Sequence, residues 1–260
     1  MPVLDTRGAR IAYTDTGPRE APTVLFGHGL LFGGWMFRPQ IDVLRERYRC
    51  VAIDWRGQGE SPPAAGGYDM DTLAGDAVAL IRALDVAPVH WVGLSMGGFI
   101  GQRVTARHGD LVRSLTLLDT SCGPENPAKV REYKRLALFQ RVFGIKPVLG
   151  KVEPLLFGPR PPAGVVAEWR RRIVRADRAA LRSAVLGVAD REPVEHEIGR
   201  VSVPTLVVVG TDDKATPPPE SERIVARIPG ARLHVVPDCG HTSTLEQPAA
   251  ITGLLTEFLG

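Results

Sequence analysis

Cysteine is scarce in this chain: Cys50, Cys122 and Cys239 are the only three among 260 residues. They stand far apart, their number is odd, and no pair has metal-ligand spacing, which argues against a disulfide framework or a structural zinc site. Reduced thiols in a cytoplasmic compartment are the expectation. A charged leader followed by an apolar stretch is missing from 1–7, so no secretory signal is expected there. No apolar run approaches the roughly 20 residues that cross a bilayer. A dominant charge is also lacking: 32 basic residues face 29 acidic ones, a net +3, too little to attract nucleic acid. The densest basic run, Arg170-Arg171-Arg172, falls in a predicted helix and reads as its solvated face. Internal repeats and low-complexity tracts are absent. No phosphate loop ending in G-K-[ST] occurs, and no G-x-G-x-x-G follows the first strand, so no nucleotide is expected. No histidine cluster suggests a metal. The chain is expected to work without a cofactor.

What is present is a large apolar inventory, 44% of residues, enough for one sizeable core. Short β-rich runs alternate with helical patterns, which predicts an α/β fold: a mostly parallel sheet flanked by helices. Strands are expected over 2–7, 10–15, 23–27, 49–54, 89–93, 114–119, 205–209 and 232–236. Helices are expected over 37–47, 71–84, 98–107 and 248–258. Between 119 and 204 the β signal vanishes. Four helices are predicted there, over 129–142, 152–157, 165–175 and 179–188. A helical insertion between two strands must sit outside the sheet, so 1–120 and 203–260 are read as the core and 121–202 as a helical cap. Open α/β sheets bind ligands beyond the carboxyl ends of their strands, where such a cap would wall a pocket.

Gly93-Leu94-Ser95-Met96-Gly97 matches G-x-S-x-G, with an apolar strand before it and Gly98 and Gly101 after it. A nucleophile at a sharp strand-to-helix turn needs small residues two positions away on either side, because side chains there would collide. The following helix turns its first N–H groups toward the site. A serine hydroxyl needs a base, and the base needs an orienting carboxylate. His241, in the Pro237–His241 loop after the last strand, is placed for the first role. His234 lies within a strand and reads as a packed core residue. For the acid, the segment after 205–209 offers two neighbours, Asp212 and Asp213, whose side chains diverge, so only one can face the histidine. Met96, following the serine, is expected to donate its N–H to an oxyanion.

These motifs, with the chain order Ser, acid, His, resemble α/β-hydrolases related to 3-oxoadipate enol-lactonases and bacterial non-haem haloperoxidases, over about 23–259. The resemblance implies the rest. Gly210-Thr211-Asp212-Asp213-Lys214-Ala215-Thr216-Pro217 is similar to the family's G-x-x-D-x-x-x-P, which selects Asp213. His28-Gly29-Leu30-Leu31 is similar to its H-G-x motif, which makes Leu30 the second oxyanion donor and His28 a structural tie. Asp54-Trp55-Arg56-Gly57-Gln58-Gly59-Glu60-Ser61 is similar to its D-x-R-G-x-G-x-S turn, read as an Asp–Arg network bracing a loop.

The expected function is therefore hydrolysis of a small-molecule carboxylic ester or lactone through an acyl-enzyme on Ser95. Thioesterase, perhydrolase or haloperoxidase activity, carbon–carbon bond hydrolysis, and a slow or non-catalytic ligand receptor on the same scaffold are the alternatives. Haloalkane dehalogenases and epoxide hydrolases use an aspartate where this chain has Ser95. Leu31 and Trp35, near the expected oxyanion loop, are expected to line the pocket, and Phe139, Phe143, Leu156 and Trp169 from the cap are expected either to line its far wall or to form the core of the cap.

Overall fold

The computed structural model describes residues 1–6 and 8–260. Among the described residues the strands are β1 (Val3–Thr6), β2 (Ala9–Thr16), β3 (Thr23–Gly27), β4 (Arg49–Ile53), β5 (Val89–Leu94), β6 (Val112–Leu118), β7 (Thr205–Gly210) and β8 (Arg232–Val236). They form one sheet in the order β1-β2-β4-β3-β5-β6-β7-β8. The pairs β1–β2 and β2–β4 are antiparallel, and the pairs from β4 through β3 to β8 are parallel. The expected end of the first strand, Arg7, lies outside the described residues. β3, β5 and β7 are buried at every position, as parallel strands covered on both faces must be, and this is why they read as unbroken apolar runs. The edge strand β8 behaves differently. His234 and Val235 are exposed on it, which corrects the reading of His234 as a core residue: an edge strand has a poorly covered face.

Among the described residues the α-helices are α1 (Arg38–Leu44), α2 (Met70–Ala83), α3 (Met96–Arg107), α4 (Pro127–Phe143), α5 (Leu149–Leu156), α6 (Val165–Ile173), α7 (Arg178–Ala189), α8 (Pro218–Val225), α9 (Ser243–Glu246) and α10 (Pro248–Leu259). Two apolar clusters form the core on the sheet's two faces. One contains Leu25, Trp91, Ile100 and Leu115; the other contains Phe26, Val92, Leu118 and Val208. Alternate residues of one strand thus point into opposite clusters. Side-chain oxygens define several helix starts: Asp69 accepts from Thr72 N–H, Asn126 from Ala128 N–H, and Asp177 from Ala179 and Ala180 N–H. Helix α8, which is not among the expected helices, opens on Pro218 and Pro219. Proline is compatible with a first helical turn, where its missing N–H costs nothing.

Two features of this topology position a site. First, β3 is flanked by β4 on one side and β5 on the other, with Gly27 paired to Gly93. The chain therefore reverses its direction of sheet growth there, and the loops leaving β3 and β5 meet in the resulting crevice. Second, α4 to α7 all fall between β6 and β7, and α4 packs on α7. This segment is tied to the sheet beside the crevice. Lys129 Nζ on α4 donates to the Lys214 and Ala215 carbonyls at 3.0 and 2.9 Å, and Gly158 N–H donates to Glu246 at 2.8 Å.

Candidate active site

The turn after β5 is built on an absence of side-chain volume. Ser95 adopts φ 52° and ψ −112°, a strained conformation for a residue with a Cβ. A Cβ on Gly97 would collide with the Gly27 carbonyl, and one on Gly93 would collide with the Gly97 carbonyl. Gly98 is pressed against Thr120, and Gly101 against the Trp91 indole. The close fit places Ser95 at the N-terminus of α3, with its hydroxyl aimed out of the sheet.

His241 joins it from the loop after β8. Its Nε2 lies 2.9 Å from Ser95 Oγ, and its Nδ1 lies 2.8 Å from Asp213 Oδ2. The tautomer carrying its proton on Nδ1 satisfies both contacts: Nδ1–H donates to Asp213 and Nε2 accepts from the serine hydroxyl. All three side chains are buried, Ser95 retaining 8% exposure. Asp213 is fixed in turn. Its Oδ1 accepts from Ala215 and Thr216 N–H at 2.8 and 2.9 Å, and its Oδ2 accepts from the Thr216 hydroxyl at 2.9 Å. Asp212 is a surface turn residue, its carboxylate 3.4 Å from the Thr211 hydroxyl.

Burial by itself would lower the His241 pKa. The carboxylates of Asp213, Asp119 and Glu246 outweigh it, and the net shift is upward. Sequence reasoning missed two of these three. Asp119 directly follows β6, with φ 47°. It accepts from Gly210 N–H at 3.0 Å and Ser243 N–H at 3.4 Å, so it links the acid loop to the histidine loop. Complete burial, and the nearby Asp213, raise its own pKa. Glu246 accepts from Gly240 N–H and Thr242 N–H, at 3.2 and 3.1 Å, and from the Thr242 hydroxyl at 2.8 Å. Neither lies in a pattern that sequence could flag. Each becomes visible only when the loops are brought together.

Leu30 and Met96 flank the serine. Among the described residues, neither backbone N–H has a hydrogen-bond acceptor, as expected for the start of a helix and for an open loop. The Leu30 loop is held from several sides. Leu31 sits at φ 70°; its N–H donates to Gln58 Oε1 at 2.9 Å and its carbonyl accepts from Trp169 Nε1 at 3.2 Å. His28 accepts the Trp55 N–H at 3.0 Å through Nε2, and its carbonyl accepts the Trp55 indole N–H at 2.9 Å. Burial lowers the His28 pKa, which keeps it a neutral tie. In the Asp54–Ser61 turn, Asp54 accepts from Gly34 and Glu60 N–H, while Arg56 grips Asp76 on α2 at 2.6 and 2.8 Å. The bracing network thus reaches beyond the turn to a residue 20 positions away.

A pocket opens on Ser95 and His241. Leu30, Leu31 and Leu156 line it, together with Phe99 and residues of α4, α5 and α7. The other expected pocket residues lie elsewhere. Trp169 is fully buried, packed on Phe32 and Phe157 behind the Leu31 loop. Trp35 borders a separate cavity beside the Gly57–Ser61 turn, its ring under Arg172 at 4.7 Å. Phe139 and Phe143, 43% and 62% exposed, stack on each other on the outer face of α4. That helix buries Ala137 and Gln140 instead. All three cysteines are free and buried; burial pushes the Cys50 and Cys122 thiols up to about 12 and 11, so they stay protonated. Among the described residues no cluster of metal-binding side chains occurs, and no helix is long and apolar enough to cross a membrane.

Known proteins share this architecture. The thermophilic esterase of Thermogutta terrifontis superposes with a TM-score of 0.90 at 30% identity, covering 96% of this chain and 93% of its own. The enol-lactonase of Burkholderia xenovorans LB400 superposes with a TM-score of 0.91 at 28% identity, covering 99% of each. The non-heme chloroperoxidase of Burkholderia pyrrocinia is 30% identical over 234 residues, 84% of each chain. The model of the alpha/beta hydrolase family matches residues 24–253. The chain is a hydrolase of this architecture, and it belongs to the alpha/beta hydrolase family.

Proposed function

We propose that this hydrolase cleaves a small-molecule carboxylic ester or lactone through an acyl-enzyme on Ser95. One observation carries the reading: a single buried imidazole lies within hydrogen-bond distance of both the Ser95 hydroxyl and the Asp213 carboxylate. His241 takes the hydroxyl proton as Ser95 Oγ bonds to the carbonyl carbon. The carbonyl oxygen gains the electron pair and is stabilised by the Leu30 and Met96 N–H groups. The carbon–oxygen bond to the leaving alkoxide then breaks, and His241 returns the proton to it. Water, deprotonated by the same imidazole, attacks the acyl carbon; the bond to Ser95 Oγ then breaks, His241 returns the proton to Oγ, and the acid leaves. Asp213 holds the tautomer and stabilises the imidazolium. For a lactone, the leaving alkoxide stays attached and the product is one hydroxy acid.

In this reading residues 1–120 and 203–260 form the catalytic core, and 121–202 form a cap that shapes the pocket. The esterase and enol-lactonase among the structural neighbours support ester or lactone substrates. Ser95→Ala tests the assignment. Turnover of p-nitrophenyl butyrate is expected to fall by about 10⁶-fold with the far-ultraviolet circular dichroism spectrum unchanged. Turnover equal to that of the parent protein would refute it.

A further inference from the structure

The cavity over Ser95 has an unusual charge inventory. Its walls come from α4, α5 and α7, with Leu136, Val152, Leu155 and Val185 among the side chains. No lysine or arginine lines it, and its one acidic side chain is Glu125. Glu125 is held from behind the wall. Its Oε2 accepts from Arg191 Nη1 at 3.1 Å. Arg191 is itself buried, its guanidinium 4.2 Å from the centroid of Phe99 and its Nη2 donating to Ser121 Oγ at 3.1 Å. The positive partner is thus committed outside the cavity and the carboxylate borders the inside.

A bound acyl chain ending in a carboxylate would lose its hydration among leucine and valine side chains, meet no cation, and approach a second carboxylate. Burying an unpaired charge in such a place is strongly unfavourable. A neutral hydrocarbon chain would gain from the same walls.

Resting on the ester-hydrolase reading above, we propose that the substrate is a neutral ester with an extended, wholly apolar acyl chain, and that Glu125 excludes acyl chains terminated by an anion. Glu125 is then the specificity-determining residue of the pocket, and Arg191 fixes its position.

Two esters of equal length test this: p-nitrophenyl hexanoate and the mono-p-nitrophenyl ester of adipic acid, which differ only in a terminal methyl or carboxylate. The parent protein is expected to prefer the hexanoate by about 100-fold or more in kcat/KM, the equivalent of a charge left without a partner. Glu125→Gln removes the repelling charge and leaves Arg191 uncompensated, so the preference should shrink by about 10-fold. Equal kcat/KM values for the two esters in the parent protein would overturn the proposal, and an unchanged preference in the variant would overturn the role of Glu125. p-Nitrophenyl acetate, whose acyl chain is one methyl group, separates the two levels. Cleavage of acetate by the parent but not by Ser95→Ala, with no discrimination between the longer esters, means the hydrolase reading stands and the substrate class fails. No cleavage of any of the three would bring both down.

Discussion

Glu246 holds His241 by the backbone on both sides. Its carboxylate accepts the N–H groups of Gly240 and Thr242, the two neighbours of the imidazole-bearing residue, and also the N–H of Gly158, just beyond α5. A carboxylate that gathers this many donors fixes a loop more rigidly than neutral turn contacts would.

Glu246→Gln keeps the size but supplies an amide NH₂ where the backbone presents donors. Each unsatisfied buried donor costs about 1–3 kcal/mol, so the midpoint of thermal unfolding should drop. A displaced imidazole should lower kcat by about 10- to 100-fold with little change in KM. The acid limb of the pH–rate profile should also move down, because Glu246 is one of the carboxylates that raise the His241 pKa. Unchanged kcat with a lowered unfolding midpoint would make Glu246 purely a stabilising residue.

The pH profile has a defined sign. Only neutral His241 can accept the serine proton, so kcat/KM should rise as pH increases through the imidazole pKa. That pKa is raised from the ordinary 6.5, which puts the midpoint above pH 6.5. Asp213→Asn deletes a charge that raises it, so the midpoint should move to lower pH. The wrong tautomer should also cost about 10⁴-fold in kcat. A midpoint below 6.5 in the parent protein would contradict the arrangement of carboxylates around the ring.

Gly97→Ala should destabilise the fold by about 3 kcal/mol, because the new methyl group meets the Gly27 carbonyl, a backbone atom fixed in β3. Gly75→Ala, on the open face of α2 with nothing near its Cβ position, should instead stabilise by about 0.5–1 kcal/mol. Urea unfolding of the two variants beside the parent checks both. Equal stability of Gly97→Ala and parent would mean that the β5–α3 turn relaxes easily.

The legible part of the sequence was the part in which backbone geometry dictates residue type. Gly93 and Gly97 must be glycine for Ser95 to stand where it does, and the apolar runs of β3, β5 and β7 must be continuous because both faces are covered. The pocket was harder, because rules for burial apply to helices only as averages. Phe139 and Phe143 look like pocket or core residues, yet α4 packs through Ala137 and Gln140 and turns these two rings outward. Trp169 does serve the site, but from behind, through the Leu31 carbonyl. Asp119 and Glu246 are ordinary acidic residues along the chain, and their role comes from loops far apart in sequence that fold against them.

Under Ser95, Gly97 and Gly93 lie against main-chain carbonyls, and the Trp55 and Trp91 rings close the space beside Gly27 and Gly93. Backbone and large buried rings packed this tightly leave that floor little to trim or enlarge. New preferences for one compound over another must therefore be acquired overhead, in α4, α5 and α7, where leucine, valine and alanine can be exchanged a methyl group at a time while the chemistry beneath them stays as it is.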